Sequence, residues 1–172
     1  MGSPLTCLFV GDAWFANLHG IQWFIDNVLD KVDIRLQIAG KASEVLKQQS
    51  THEKIEYLGF VPNLSTVIID ADIVLAPIFK GGGMKVKICE ALMFGKHILG
   101  TEEAFNGYEI DLEKVGAVCN TEIEFVNAIN KFSNSREEKF NEYNRNCFLN
   151  KYSFQATYKE FNKVLFDGNQ QQ

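Results

Sequence analysis

The 172-residue sequence predicts an α/β domain, a Rossmann-like doubly wound parallel sheet of about six strands with closing helices at the carboxyl end. Three observations predict it. Short apolar blocks alternate with amphipathic blocks along most of the chain. The connectors between them are short, as in repeated strand–helix units. One block, "DIVLAP" at residues 72–77, is apolar after its first residue, as a strand covered on both faces must be. Right-handed crossovers then place helices on both faces of the sheet.

Each element follows in order. "LTCLFVG" (5–11) is a buried strand stopping at glycine. "LHGIQWFIDNVLDKV" (18–32) carries Ile21, Phe24, Ile25, Val28 and Leu29 at helical spacing. "DIRLQIAG" (33–40) alternates like a strand and again ends at glycine. "ASEVLKQQ" (42–49) is a short helix with Ser43 as its candidate cap. "KIEYLGFV" (54–61) is the third strand, "NLSTVIIDA" (63–71) a short helix, and "DIVLAP" the fourth strand. "GMKVKICEALMFG" (83–95) is a helix from about Met84, closed by Gly95 as a C-terminal cap. "KHILGT" (96–101) and "GAVCN" (116–120) are strands five and six. "TEIEFVNAINKF", "SREEKFNEYNRNCFLNK" and "SFQATYKEFNKVLF" then read as helices. One domain over residues 1–168 is expected, with 169–172 a polar, disordered tail.

Composition narrows the function. The chain is 46% hydrophobic and 23% charged, ordinary for a globular protein, and its net charge of −5 argues against general affinity for nucleic acid or anionic membrane. Cys7, Cys89, Cys119 and Cys147 form no CxxC pair, which fits free thiols in a reducing compartment. No apolar run reaches the length of a membrane span. His19, His52 and His97 show no metal-ligand spacing. "DAD" (70–72) resembles a metal-binding DxD, but it precedes strand four and so falls on the amino-terminal edge, away from where such sheets bind ligands.

The chemistry concentrates in "APIFKGGGMKVKICEALMFGKHILGT" (76–101). Gly81, Gly82 and Gly83 follow strand four at its carboxyl end and lead into a helix. The first amides of a helix lack partners within it and favour anions. Lys85 and Lys87 stand where the helix dipole disfavours cations by up to ~1 kcal/mol. Charge-assisted hydrogen bonds to a phosphate, roughly 1.5–3 kcal/mol each, would outweigh that penalty. On spacing alone the joint reads equally as a phosphate cradle or as a plain turn with two solvated lysines. It is neither GxxxxGK[ST] nor GxGxxG. Glu90 shares a helix face with Val86 and Lys87 among apolar neighbours. Its carboxylate suits two adjacent ribose hydroxyls, or pairing with Lys87 or Lys85. Trp14 and Phe15, after strand one, could stack on a base or sugar or be covered by another domain. Glu102 and Glu103, in the loop after strand five, lie on the ligand edge and could meet donor or acceptor, although surface charge is the commoner explanation of such a pair.

These segments together resemble the carboxyl-terminal, donor-binding half of GT-B glycosyltransferases of family 4, or group 1. "LFVGDAWFANLHGIQWFIDNV", "DIRLQIAGK", "IEYLGFVPNLSTVIIDADIVLAP" and the glycine joint follow that family's order over about residues 5–120. The resemblance implies a nucleotide diphosphate sugar as donor substrate and no metal or other cofactor. It implies diphosphate contacts at Gly82, Gly83, Met84, Lys85 and Lys87, a ribose contact at Glu90, and base contacts at Phe60, Val61 and Asn63 in the loop after Gly59. Packing accounts for Phe60 and Val61 nearly as well. Three departures stand out. Gly82 occupies the place of the first of two glutamates eight apart, which usually touches the donor sugar. Asp12 stands where an arginine is usual, and His19 where a lysine is usual. The catalytic residues and the acceptor site, for a glycan, lipid or small molecule, would lie in an amino-terminal domain absent from this sequence, so this half alone is expected to transfer little. A cytoplasmic location is expected, with peripheral membrane contact open to the full-length protein, and no nucleic-acid partner. A nucleotide-sugar 2-epimerase-like enzyme and a non-catalytic nucleotide-sugar-binding module are the alternatives.

Overall fold

In a computed structural model, which describes residues 4–135 and 138–167, six strands form one all-parallel sheet in the order β3-β2-β1-β4-β5-β6. The strands are β1 (Leu5–Val10), β2 (Ile34–Ala39), β3 (Ile55–Gly59), β4 (Ile73–Ala76), β5 (His97–Gly100) and β6 (Gly116–Val118). The crossover helices are α1 (Phe15–Asn27), α2 (Lys41–Gln49), α3 (Leu64–Asp70), α4 (Val86–Met93) and a one-turn α5 (Glu102–Phe105), followed by α6 (Glu122–Ser135), α7 (Glu142–Cys147) and α8 (Phe154–Asp167). The strand order reverses between β1 and β4, which opens a crevice outside their carboxyl ends.

The predicted strands match these within a residue or two, because burial dictates them. All residues of β4 and β5 are buried. Phe24 of α1 meets Phe125 of α6 edge to face, ring centroids 5.5 Å apart, and both side chains are fully buried. Full burial of one such side chain contributes about 1.5–3 kcal/mol. Asp72 ties the entrance of β4 to that of β1: its Oδ2 accepts from Thr6 N at 2.7 Å, its own N–H donates to Thr6 O at 2.8 Å, and Lys139 pairs with its other oxygen at 2.8 Å. The "DAD" segment therefore lies on the amino-terminal edge, with Asp72 engaged in strand pairing. Cys7 and Cys119 are buried, Cys89 and Cys147 partly so, and all four are free thiols. No described helix is long and apolar enough to cross a membrane.

Four details differ from the sequence expectations. Gly40, not Ser43, stands at the N-cap of α2; Ser43 is buried one turn in, and its hydroxyl accepts from Gly59 N at 3.0 Å. The helix expected from about Met84 starts at Val86, with Lys85 at its N-cap. Gly81 and Gly83 take left-handed φ angles of 138° and 70°, so the joint stays irregular two residues longer than helix propensity alone implies. Glu102 and Glu103, expected in a loop, open α5 behind the capping hydroxyl of Thr101. The helix expected over 135–151 starts only at Glu142, capped by the Asn141 side chain, and relaxes into a π turn at Phe148–Tyr152. Gly95 does take the left-handed conformation (φ 59°) expected just past α4. The tail at 169–172 lies outside the described residues.

Candidate functional site

The glycines ending β1, β2 and β3 bring three strand termini together. Gly11 N donates to Ala39 O, Gly40 N to Gly59 O and Ala42 N to Gly11 O, at 3.0, 2.7 and 3.1 Å. A Cβ on Gly40 would lie 2.4 Å from Gly11 O, and its φ is 90°, so only glycine fits there. These turns form one wall of a cleft of about 520 Å³ at the carboxyl edge of the sheet. Phe60 and Leu64, after β3, close one end. Gly81, Gly82, Lys85, Lys87 and Glu90 line the other. Trp14 and Lys41 stand over its rim.

Lys87 is the best-defined group in the cleft. Its ammonium donates to Asn17 Oδ1 at 2.5 Å and sits 4.6 Å from the centre of the Phe9 ring. Asn17 is fixed in turn by its Nδ2, which donates to Asp12 O at 3.1 Å. Burial pushes the Lys87 pKa down to about 8; Glu90 opposes this shift and Lys85 adds to it. Burial also raises the Glu90 pKa above the usual carboxylate range, against the pull of Lys87. A half-buried cation and a half-buried anion thus stand one turn apart on α4, without a direct ion pair between them among the described residues.

Lys85 is held differently. Its ammonium donates to Gly83 O at 2.7 Å and pairs with Glu103 of α5 at 3.0 Å, while Tyr108 OH donates to Lys85 O at 2.8 Å. Gly83 and Met84 do not line the cleft; Met84 leans on Gly107, where a Cβ would come within 2.8 Å of its Cγ. Since α4 starts at Val86, its orphan amides belong to Val86 and Lys87 rather than to Gly83 and Met84. Gly82 lines the cleft, with open space where a side chain would stand.

At the other end only Phe60 of the three expected base-contacting residues lines the cleft, and it is 77% exposed. Val61 packs on the Leu8, Ala39 and Ile68 cluster. Asn63 caps α3, its Oδ1 accepting from Ser65 N at 3.1 Å. Asn63→Ala is therefore expected to cost about 1 kcal/mol of stability, read as a lower urea midpoint at unchanged m. Asp12 lines the cleft, its Oδ1 accepting from Ala13 N at 2.8 Å. His19 lies outside it, stacked on Phe15 at 5.6 Å and edge-on to Phe79 at 6.3 Å. The sequence does not single out Asn17 or Lys41, and it places Glu103 on the ligand edge without linking it to Lys85. Asn17 lies 70 positions from Lys87, and no local pattern links them.

A second cleft of about 620 Å³ continues along the same edge, lined by Phe79 after β4, by Thr101 to Glu103 and Asn106 after β5, and by Asn120 after β6. Lys85 faces the first cleft and Glu103 the second, so their ion pair stands in the wall between the two.

A parallel sheet of this strand order, with a backbone-walled cleft at its switch point, makes this an α/β domain of the GT-B kind. The chain belongs to the glycosyl transferases group 1 family, whose sequence model matches residues 4–135. Solved structures of similar fold include a glycosyltransferase from Rickettsia africae (TM-score 0.74, 11% identity, covering 100% of this chain and 50% of that one). Anabaena Alr3699/HepE in complex with UDP is another (TM-score 0.73, 13% identity, 95% and 49%). A third is the lipopolysaccharide outer core galactosyltransferase WaaB (TM-score 0.67, 13% identity, 96% and 50%). The chain thus spans half or less of the length of these structures. No curated protein matches it in sequence.

Proposed function

We propose that this chain is the donor-binding half of a retaining glycosyltransferase that moves a hexose from a nucleotide diphosphate sugar to a glycan, lipid or small-molecule acceptor. One observation carries the reading: Lys87, Glu90 and the first amides of α4 face a single cleft at the switch point of the sheet. In this reading the diphosphate lies against Lys87 and the α4 amides, with Gly82 leaving room for its oxygens. Glu90, one turn on, accepts from the ribose hydroxyls, and Phe60 stacks on the base. Charge developing on the leaving diphosphate is stabilised by fixed cations and amide dipoles, and the reading assigns no metal or other cofactor. Support comes from the family and from HepE, which shares the fold and has structures with UDP and with UDP-glucose. Trp14 and Val86, which line the cleft, are 69% and 70% exposed, an apolar rim that fits a second half closing over it. Acceptor and catalytic groups then belong to that half.

Calorimetric titration of the chain with UDP, GDP and ADP and with their hexose esters tests the reading. Binding of one base in preference to the others is expected. Absence of binding by all of them would remove the proposal. Glu90→Gln, which keeps the shape and removes the charge, is expected to weaken the preferred nucleotide by about 1 kcal/mol, or about fivefold. Unchanged affinity would detach Glu90 from the ribose.

A further inference from the structure

Resting on that reading of the first cleft, we infer that the second cleft holds the sugar carried on the terminal phosphate of the donor, and that Glu103 reads its hydroxyls. The two clefts divide the carboxyl edge in the order of the strands. The first runs from the ends of β3 and β2 to the start of α4; the second runs from Phe79 after β4 to Asn120 after β6. A nucleotide with its base at Phe60 and its diphosphate at Lys87 points its terminal substituent away from β3. The next space along the edge is the second cleft. Space is open beside the glycine joint, since a Cβ on Gly82 or Gly83 would meet nothing within 4 Å. The boundary is the Lys85–Glu103 pair, with Lys85 lining the first cleft and Glu103 the second.

The lining of the second cleft suits a hexose. The Phe79 and Tyr108 rings offer surface to the C–H face of a sugar, and Asn106 offers its amide and Asn120 its Nδ2 to the hydroxyls, the Asn120 Oδ1 already accepting from Glu102 N at 2.9 Å. Glu103 uses only Oε1 on Lys85, and its Oε2 has no protein partner among the described residues. A carboxylate with one oxygen committed and one open accepts from adjacent hydroxyls while still bonded to Lys85. The tether also fixes the position of Glu103. Tyr108 OH holds the Lys85 backbone, and Thr101 caps the α5 turn that carries Glu103.

The test compares two ligands on each variant, a nucleoside diphosphate of the preferred base and its hexose ester. Glu103→Gln is expected to raise the Kd of the hexose ester about tenfold and that of the bare diphosphate less than about threefold. Asn106→Ala, on the exposed rim, is expected to weaken the ester selectively in the same direction, and it keeps the test in force should Glu103→Gln fail to fold. Equal factors for the two ligands in both variants would overturn the inference, because they would mark Glu103 as a support for Lys85 alone. Unchanged affinity for the ester would overturn it too. Failure of the unsubstituted chain to bind either ligand would instead remove the reading of the first cleft, and this inference with it.

Discussion

Gly20→Ala is expected to destabilise the domain by about 3 kcal/mol or more, lowering Tm by at least about 6–12 °C. Gly20 lies mid-way along α1, where an alanine should favour the helix by up to ~1 kcal/mol. Packing decides the opposite. A Cβ at Gly20 would sit 1.7 Å from Pro77 O and 2.9 Å from its carbonyl carbon. That neighbour is backbone at the exit of β4 and cannot rotate away. Either α1 shifts outward, loosening the fully buried Ile21 and Phe24, or the β4 exit shifts and carries Ile78 and the glycine joint with it. Both movements disturb the cleft. Gly82→Ala is the matched control. Its φ lies outside the left-handed region and its Cβ would meet nothing within 4 Å, so its effect on stability should stay within about 1 kcal/mol of zero, with a bias toward gain. Differential scanning calorimetry of both variants checks the contrast. Equal melting temperatures would show that α1 and β4 are not in this close contact.

The same residues show which parts of the structure were legible in the sequence. Strand identity was legible because β4 and β5 are wholly buried, and burial on both faces leaves an unbroken apolar run. The switch point followed from topology rules rather than from any single residue. The start of α4 was not legible to within a turn. Gly81 and Gly83 permit left-handed backbone without announcing how many residues follow before the helix closes, and Lys85 remains extended at ψ 113°. Ser43 and Asn63 show the ambiguity of capping residues. Each has a side chain suited to several roles; Ser43 bonds to the next strand's end, while Asn63 caps α3 instead of facing the cleft. The wiring of the site was least legible. Lys87 to Asn17 and Lys85 to Glu103 are long-range pairs, 70 and 18 positions apart, and the sequence shows the charges but not which of them meet. Lys85 and Lys87 therefore looked equivalent in the sequence, and they are not. One is neutralised by a carboxylate, the other buried against an amide and a ring.

That difference sets the last expectation: Lys87→Met is expected to weaken a nucleotide diphosphate hexose by about 10–100-fold while making the free domain more stable. The ammonium of Lys87 is desolvated without a direct ion pair among the described residues, and its pKa falls to about 8. Because the folded-state value lies below that of the unfolded chain, the penalty is fully present below about pH 8 and fades as pH rises toward the ordinary lysine range. Methionine keeps an apolar side chain of similar length and removes the buried charge, but it loses the hydrogen bond to Asn17 and the contact of the ammonium with the Phe9 ring. The net gain should be about 1 kcal/mol at pH 7, or about 2–4 °C in Tm. Binding has the opposite sign. A diphosphate favours the charged amine, so the complex takes up a proton where the free site is part neutral, and affinity should fall as pH rises above about 8. A nucleotide diphosphate hexose has no phosphate that titrates near pH 8, and the ring N–H of uracil or guanine ionises at higher pH, so the slope around pH 8 reports the protein. Titrations between about pH 7 and 8.5 should show this fall in the unsubstituted chain and its loss in Lys87→Met. A pH slope that survives the substitution, or a variant that melts lower than the parent, would mean that Lys87 supports the fold rather than being held at a cost to stability for an anion.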